Sequence, residues 1–298
     1  MEACMILAMR RRDFVTATAV TTAGLAAAQT TLLTPIKRKG RIKQGAMRVN
    51  FPQGTAFEDV CRMAASVGCV GVDLTGPRDW PVLKQYGLIS TCSSAGPVSM
   101  EDGFIRKELH DKIEPGIREA IDTISAAGYP NMVAVGGQRK GLSYEEGADN
   151  VVSFLNRVKS HAEDKNVTIV LEMVNDKFKD AAFGRFDQVL NHIEFAFDIV
   201  KRVNSPKVKI LFDCYHVQIM DGDVCHHLRD NIKWVGHVHT AGVPGRLLID
   251  ENQELNYGFV AKTLVDLGYT GYVSHEYRPK PGGDAVKELA RAVEIMDV

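Results

Sequence analysis

Four apolar runs in the second half of the chain each end in an acid or an imidazole: 167–171 before Glu172, 208–212 before Asp213, 232–238 before His239 and 271–275 before Glu276. A largely apolar run such as 167–171 or 208–212 reads as a parallel strand covered on both faces, delivering one polar side chain at its carboxyl end. The four polar residues lie 26 to 41 residues apart, enough for a loop, a helix and a return loop between successive strands. That rhythm belongs to a barrel of alternating strands and helices, whose parallel strands all point their carboxyl ends to the face where such barrels keep their chemistry. Glu172, Asp213, His239 and Glu276 are therefore expected to converge there. Three carboxylates and one imidazole make a divalent-metal site.

The rest of the chain supplies the missing units. Strands are expected at 47–51, 70–74, 88–93 and 131–135, followed by 167–172, 208–213, 232–239 and 271–276. Apolar residues at spacings of three and four predict helices over 56–67, 106–127, 143–163, 187–203, 256–267 and 285–296. Gly128 and Gly268 read as helix ends feeding the next strand. Eight such units favour an α/β fold closed into a (β/α)8 TIM barrel. An open doubly wound sheet is the alternative, and it needs a glycine-rich phosphate loop after its first strand. Here that turn is Pro52-Gln53-Gly54-Thr55-Ala56, without the required spacing. The later Gly136-Gly137 pair is a tight turn or a place where a substrate comes close.

The amino terminus stands apart from this pattern. Arg10-Arg11-Arg12 leads into a weakly apolar stretch over 15–28 that closes on Ala26-Ala27-Ala28, the three parts of a twin-arginine export signal; Met9 offers a second start. The stretch is too short and too polar for a stable membrane span. Residues 1–45 are read as signal and linker and 46–298 as one catalytic barrel domain, which suits a fold of roughly 250 residues. The protein is expected in the periplasm, or in the cytoplasm if the signal is not used. Of six cysteines, five remain beyond the leader, with no Cys-x-x-Cys spacing, and most of them read as buried thiols. A net charge of −1 with interspersed signs gives no basic face for nucleic acid. A small molecule is the expected partner, and a homo-oligomer is left open.

Oxygen donors with one imidazole and no thiolate favour Mg²⁺ or Mn²⁺ ahead of Zn²⁺. Each ligand taken alone could be an ordinary polar residue at a strand end. His237 faces the same side of its strand as His239 and competes for its role, whereas His275 should face away from Glu276 toward the helices. His216, three residues past Asp213, can turn over the metal toward a substrate oxygen, or cap the next helix. Arg246, in Val243-Pro244-Gly245-Arg246, can hold a substrate carboxylate bidentately, or be a surface arginine. Asn175 and Gln138 are further donors to substrate hydroxyls.

These segments resemble a known family. Leu171-Glu172-Met173-Val174-Asn175, the run Asp213-Cys214-Tyr215-His216-Val217-Gln218-Ile219-Met220-Asp221-Gly222-Asp223, Gly236-His237-Val238-His239 with Pro244-Gly245-Arg246, and Glu276-Tyr277-Arg278-Pro279 are similar to hydroxypyruvate isomerases, which are xylose-isomerase-like TIM barrels alongside the ketose 3-epimerases. The resemblance implies that Glu172 and Glu276 are both metal ligands and the proton-transferring pair. Asp213 and His239 would complete the metal site, with His216 and Arg246 touching a hydroxy-keto acid. It implies interconversion of hydroxypyruvate and tartronate semialdehyde through an enediolate, with a base whose desolvation opposes the charge of the metal. His239 stands where the isomerases commonly carry Gln and the epimerases His, so a keto-sugar substrate for epimerisation or isomerisation is the second reading. A non-catalytic exported sugar binder is a third. Metal-dependent phosphodiester hydrolysis would need further His and Asp ligands, and the early strands are read as offering none.

Overall fold

In the computed structural model, residues 38–298 are described, apart from 95, 98, 178, 181–183 and 186. The twin-arginine segment, its cleavage site and Cys4 lie outside the described residues. The first strand is β1 (Lys43–Ala46), which begins inside the expected linker. The expected strand over 47–51 is instead a 3-10 turn, Arg48–Asn50. Asn50 explains the difference. Its Oδ1 accepts the Met47 backbone N–H at 2.7 Å and its Nδ2 donates to the Tyr277 carbonyl at 3.1 Å, a local bonding pattern that competes with a sheet ladder. β1 itself lacks an apolar signature because it is built on Gly45, where a Cβ would lie 2.4 Å from the Ser274 hydroxyl.

Next come α1 (Phe57–Ser66), the short β2 (Gly71–Val72) and α2 (Trp80–Gln85). After α3 (His110–Ala127), Gly128 ends the helix in the left-handed region at φ 76°, and β3 (Asn131–Val135) follows. Ser143 caps α4 (Tyr144–Asp164) in a reciprocal box with Glu146. β4 (Thr168–Glu172) leads into a small hairpin, β5 (Lys179–Asp180) with β6 (Gly184–Arg185), which the sequence pattern does not announce. α5 (Ile193–Val203) starts later than expected, its first N–H received by the Asp221 carboxylate at 2.8 Å. Beyond β7 (Val208–Asp213), two short helices, α6 (Cys214–Met220) and α7 (Val224–Asn231), fill the crossover to β8 (Val235–Thr240). α8 (Tyr257–Asp266), β9 (Tyr272–His275) and α9 (Ala285–Ile295) close the chain.

Seven parallel strands form one sheet in the order β2-β1-β9-β8-β7-β4-β3. The eighth position is taken by 89–93, which makes bridges rather than a full strand. Val72 N donates to Ile89 O at 3.0 Å on one side, and on the other Ser93 N donates to Asn131 O at 2.8 Å and Val133 N to Ser93 O at 3.0 Å. The ring is thereby closed as a (β/α)8 barrel. Gly71 sits at the tightest part of this seam, where a Cβ would lie 2.4 Å from the Ile89 carbonyl oxygen.

Two packed layers hold the barrel. Cys92, Val170 and Leu211 fill its interior, and a larger cluster including Ile121, Phe154, Phe197, Phe212 and Leu289 lies between strands and helices. Each such buried side chain contributes about 1.5–3 kcal/mol. Cys61, Cys69, Cys92 and Cys214 are free, buried thiols, and burial pushes Cys61 up to about 11 and Cys69 to about 12, which keeps them unreactive. Among the described residues no helix is long and apolar enough to cross a membrane.

Candidate metal centre

The register of the barrel decides which polar side chains meet. Glu172 ends β4, Asp213 ends β7 opposite His239 of β8, and Glu276 follows β9, its N–H still donating to Thr240 O at 2.8 Å. Their ligand atoms all lie within 4.8 Å of one another. The residues that the sequence marked as metal ligands are therefore together at the carboxyl ends of the strands. Asp213 and His239 are fully buried, while the side chains of Glu172 and Glu276 keep 11% and 15% exposure, so the cluster opens on its glutamate side.

The donor set fits a hard divalent cation. His239 Nδ1 and Glu276 Oε2 face each other at 2.7 Å, yet neither buried atom has an aligned hydrogen-bond partner, and Glu172 Oε1 is 3.8 Å from the same nitrogen. Buried atoms of this kind normally find a partner. Electrostatics agree. Burial opposes a charge on His239, but the Glu276 carboxylate and the bond to Asp73 outweigh it and hold the imidazole well above the usual histidine range. Such a cluster wants positive charge, and its carboxylates and imidazole are residues that could hold a divalent cation.

Arg246 brings one positive charge to the rim. Gly245 and Arg246 both adopt positive φ, 86° and 59°, which turns the guanidinium back over the Tyr215 ring at 5.4 Å. Its Nη2 reaches Asp213 Oδ2 at 3.0 Å and Glu276 Oε2 at 2.7 Å. Burial alone would raise the Glu276 carboxyl, but Arg246 and His239 hold it down at about 2, so desolvation does not win at this expected base. Asp213 goes the other way: burial lifts it above the usual carboxylate range despite Arg246. His216 is pushed down to about 3 by burial and by Arg246, and stays neutral. Its Nδ1 accepts the Asn175 backbone N–H at 3.1 Å and lies 2.6 Å from Asn175 Nδ2. The proton therefore sits on Nε2, which faces Asp213 Oδ2 at 3.4 Å.

Gln138 is not brought into the cluster; its backbone N–H donates to Glu101. The neighbouring Gly136-Gly137 turn admits the 102–105 segment rather than a ligand, since a Cβ on Gly137 would lie 2.4 Å from Asp102 O and Gly136 O accepts from Phe104 and Ile105. His275 faces the helix layer as expected, between Thr240 Oγ1 at 2.9 Å and Gln44 Oε1 at 3.0 Å.

One acid escaped the sequence reading. Asp73 follows β2 and is 1% exposed, with Oδ2 placed 2.5 Å from His237 Nε2 and 3.1 Å from His239 Nε2. The early strands thus do carry an acid at the barrel mouth, and His237 is engaged with it instead of competing for the cluster. A signal was present: Val70-Gly71-Val72 also ends in an acid, but Leu74 prolongs the apolar run and hides it.

A parallel (β/α)8 barrel with carboxylates and an imidazole gathered at its strand ends defines a TIM-barrel protein with a candidate divalent-cation site. The model of the xylose isomerase-like TIM barrel family matches residues 82–296, and the chain belongs to that family. It is 37% identical over 124 residues to a 2-oxo-tetronate isomerase of Cupriavidus necator, covering 42% of this chain and 45% of that one, so the match spans about half of the relative's length. A human protein provisionally named as a hydroxypyruvate isomerase is 29% identical over 260 residues, 80% of this chain and 90% of its own. A solved structure described as an AP endonuclease, family 2, from Brucella melitensis superposes with a TM-score of 0.73 at 25% identity, over 84% of this chain and 97% of that one.

Proposed function

We propose that the protein is a metal-dependent isomerase that interconverts a short 2-keto-3-hydroxy acid with the isomer in which carbonyl and hydroxyl have exchanged carbons, hydroxypyruvate with tartronate semialdehyde being the first pair to test. The observation that carries this reading is the convergence of Glu172 and Glu276 on His239 Nδ1, at 3.8 and 2.7 Å, in one cluster with Asp213. The names of the Cupriavidus and human relatives support it, and the former adds a four-carbon 2-oxo acid to the candidates. A cavity of about 200 Å³ bounded by Leu74, Met100, Val133, Val135 and Glu172 is in keeping with a substrate of this size.

A divalent cation held by Glu172, Asp213, His239 and Glu276 would supply Lewis acidity, stabilising negative charge on the substrate oxygens. Glu276, kept ionised by Arg246 and His239, is ready to accept a proton. One glutamate takes the proton from the hydroxyl-bearing carbon, and the same or the opposite glutamate delivers one to the neighbouring carbon. The hydroxyl proton moves to the former carbonyl oxygen, so that one C–H bond breaks, one forms, and nothing else is consumed. His216 Nε2–H donates to a substrate oxygen, and Arg246 pairs with the carboxylate. The leader read over 10–28 makes this an exported enzyme, which amino-terminal sequencing of the mature chain tests.

Proton NMR in D₂O with Mg²⁺, hydroxypyruvate and 2-oxo-tetronate tests the proposal. Conversion with deuterium incorporation is expected in the native protein and is lost in Glu172→Gln and Glu276→Gln with the fold intact. Full turnover in either variant removes that glutamate from the mechanism. No exchange with either acid, but exchange with a keto-sugar, transfers the same site to epimerisation.

A further inference from the structure

Asp213 and Glu276 are steadied by Arg246, whereas His239 is held from the far side of its ring by Asp73, 166 residues away in sequence. An imidazole has two nitrogens with separate tasks. In the neutral ring that a cation would require, a proton donated from Nε2 to a carboxylate leaves Nδ1 with a bare lone pair. Here Nε2 lies 3.1 Å from Asp73 Oδ2, while Nδ1 is the atom that faces Glu276 Oε2 at 2.7 Å.

We propose that Asp73 is the positioning residue for His239: it keeps the proton on Nε2, aims Nδ1 at the carboxylate cluster and strengthens that nitrogen as a cation ligand. The inference rests on the divalent-cation reading of the cluster and is independent of which acid or sugar is turned over. Asp73 is well fixed for this task. Its Oδ1 receives the Thr91 hydroxyl, and its Oδ2 is shared with His237 Nε2 at 2.5 Å. The two imidazoles stand edge to face with ring centres 5.1 Å apart, so His237 keeps the carboxylate from swinging off His239. A wholly buried carboxylate is expensive unless paired and hydrogen-bonded. Thr91 and His237 would already satisfy Asp73 if it served packing alone; the contact with the ligand histidine is the one that needs a functional reason.

Mn²⁺ binding measured by electron paramagnetic resonance and calorimetry, with ¹⁵N-histidine NMR of the Mg²⁺-loaded protein, tests the idea. Asp73→Asn keeps the volume but can offer an amide N–H to Nε2, driving the proton onto Nδ1. It should weaken Mn²⁺ binding about 10- to 100-fold, with an unchanged far-ultraviolet spectrum. In the native protein, His239 should show a protonated Nε2 and a bare Nδ1. That spectrum needs no variant, so a misfolded Asp73→Asn chain leaves the question decidable. A protonated Nδ1 overturns the proposal, as does native affinity in Asp73→Asn when Glu276→Gln abolishes binding. A second equivalent of Mn²⁺ that disappears with Asp73 overturns it too, making Asp73, His237 and His239 a site of their own. If the native protein binds no Mn²⁺, the cation reading fails and this inference with it, a result distinct from a protein that binds Mn²⁺ but isomerises neither acid.

Discussion

His275 gives the chain a built-in sensitivity to acid. It is fully buried, with Nε2–H donating to Gln44 and Nδ1 accepting from Thr240, and burial pushes it from 6.5 down to about 3. The unfolded chain takes up a proton at this residue below about pH 6.5, whereas the folded chain refuses it until near pH 3. Stability is therefore fully present above pH 6.5 and declines as pH falls through that window, by about 1.4 kcal/mol per pH unit for one histidine. At pH 4.5 the loss amounts to about 3 kcal/mol. His275→Gln removes the titrating group, at a fixed penalty for altered bonding to Gln44 and Thr240. Urea unfolding of both proteins at pH 7.5 and 4.5, with chelator present so that cation binding adds no protons, should show the variant gaining about 3 kcal/mol on the native chain between the two pH values. A gap between the two proteins that is the same at both pH values would refute the reasoning, because it would mean that His275 is equally free to titrate in the folded state.

Gly71→Ala should cost about 1–3 kcal/mol and lower the melting temperature by several degrees, because the new methyl meets the Ile89 backbone oxygen at 2.4 Å at the seam of the barrel. Gly45→Ala is the matched control: its methyl meets mainly the Ser274 hydroxyl, which can rotate away, so calorimetry should show a smaller loss. Arg246→Lys should lower kcat/KM by about 10- to 100-fold without unfolding the barrel, since an ammonium that replaced Nη2 between Asp213 and Glu276 would lose the planar group lying over Tyr215 and the further N–H donors left for a substrate carboxylate. Unaltered steady-state kinetics in that variant would mean that a positive charge at the rim is all the site requires.

The late strands were readable because β4, β7 and β8 are covered on both faces, and a strand in that position is written as a largely apolar run that ends in a polar residue at the barrel mouth. Glu172, Asp213, His239 and Glu276 follow from that rule alone, as do most of the long helices, whose amphipathic spacing reflects one buried face. The early strands obey a different constraint. β1 and β2 approach their neighbours so closely that Gly45 and Gly71 stand where an apolar side chain would otherwise signal a strand, and 89–93 makes bridges without a full ladder. The polar character of Asn50 gave no warning either, since its role in ending β1 depends on the Tyr277 carbonyl from the other end of the chain.

Sequence by itself determined the fold class and the four cluster residues, because burial writes periodicity into each element separately. Only the tertiary structure decided that Asp73 and His237 belong beside His239, that Arg246 reaches Asp213 and Glu276, and which nitrogen of His216 carries its proton. Those contacts join residues far apart in the chain through the closure and stagger of the ring, and ring closure is a relation among strands that no local pattern of residues encodes.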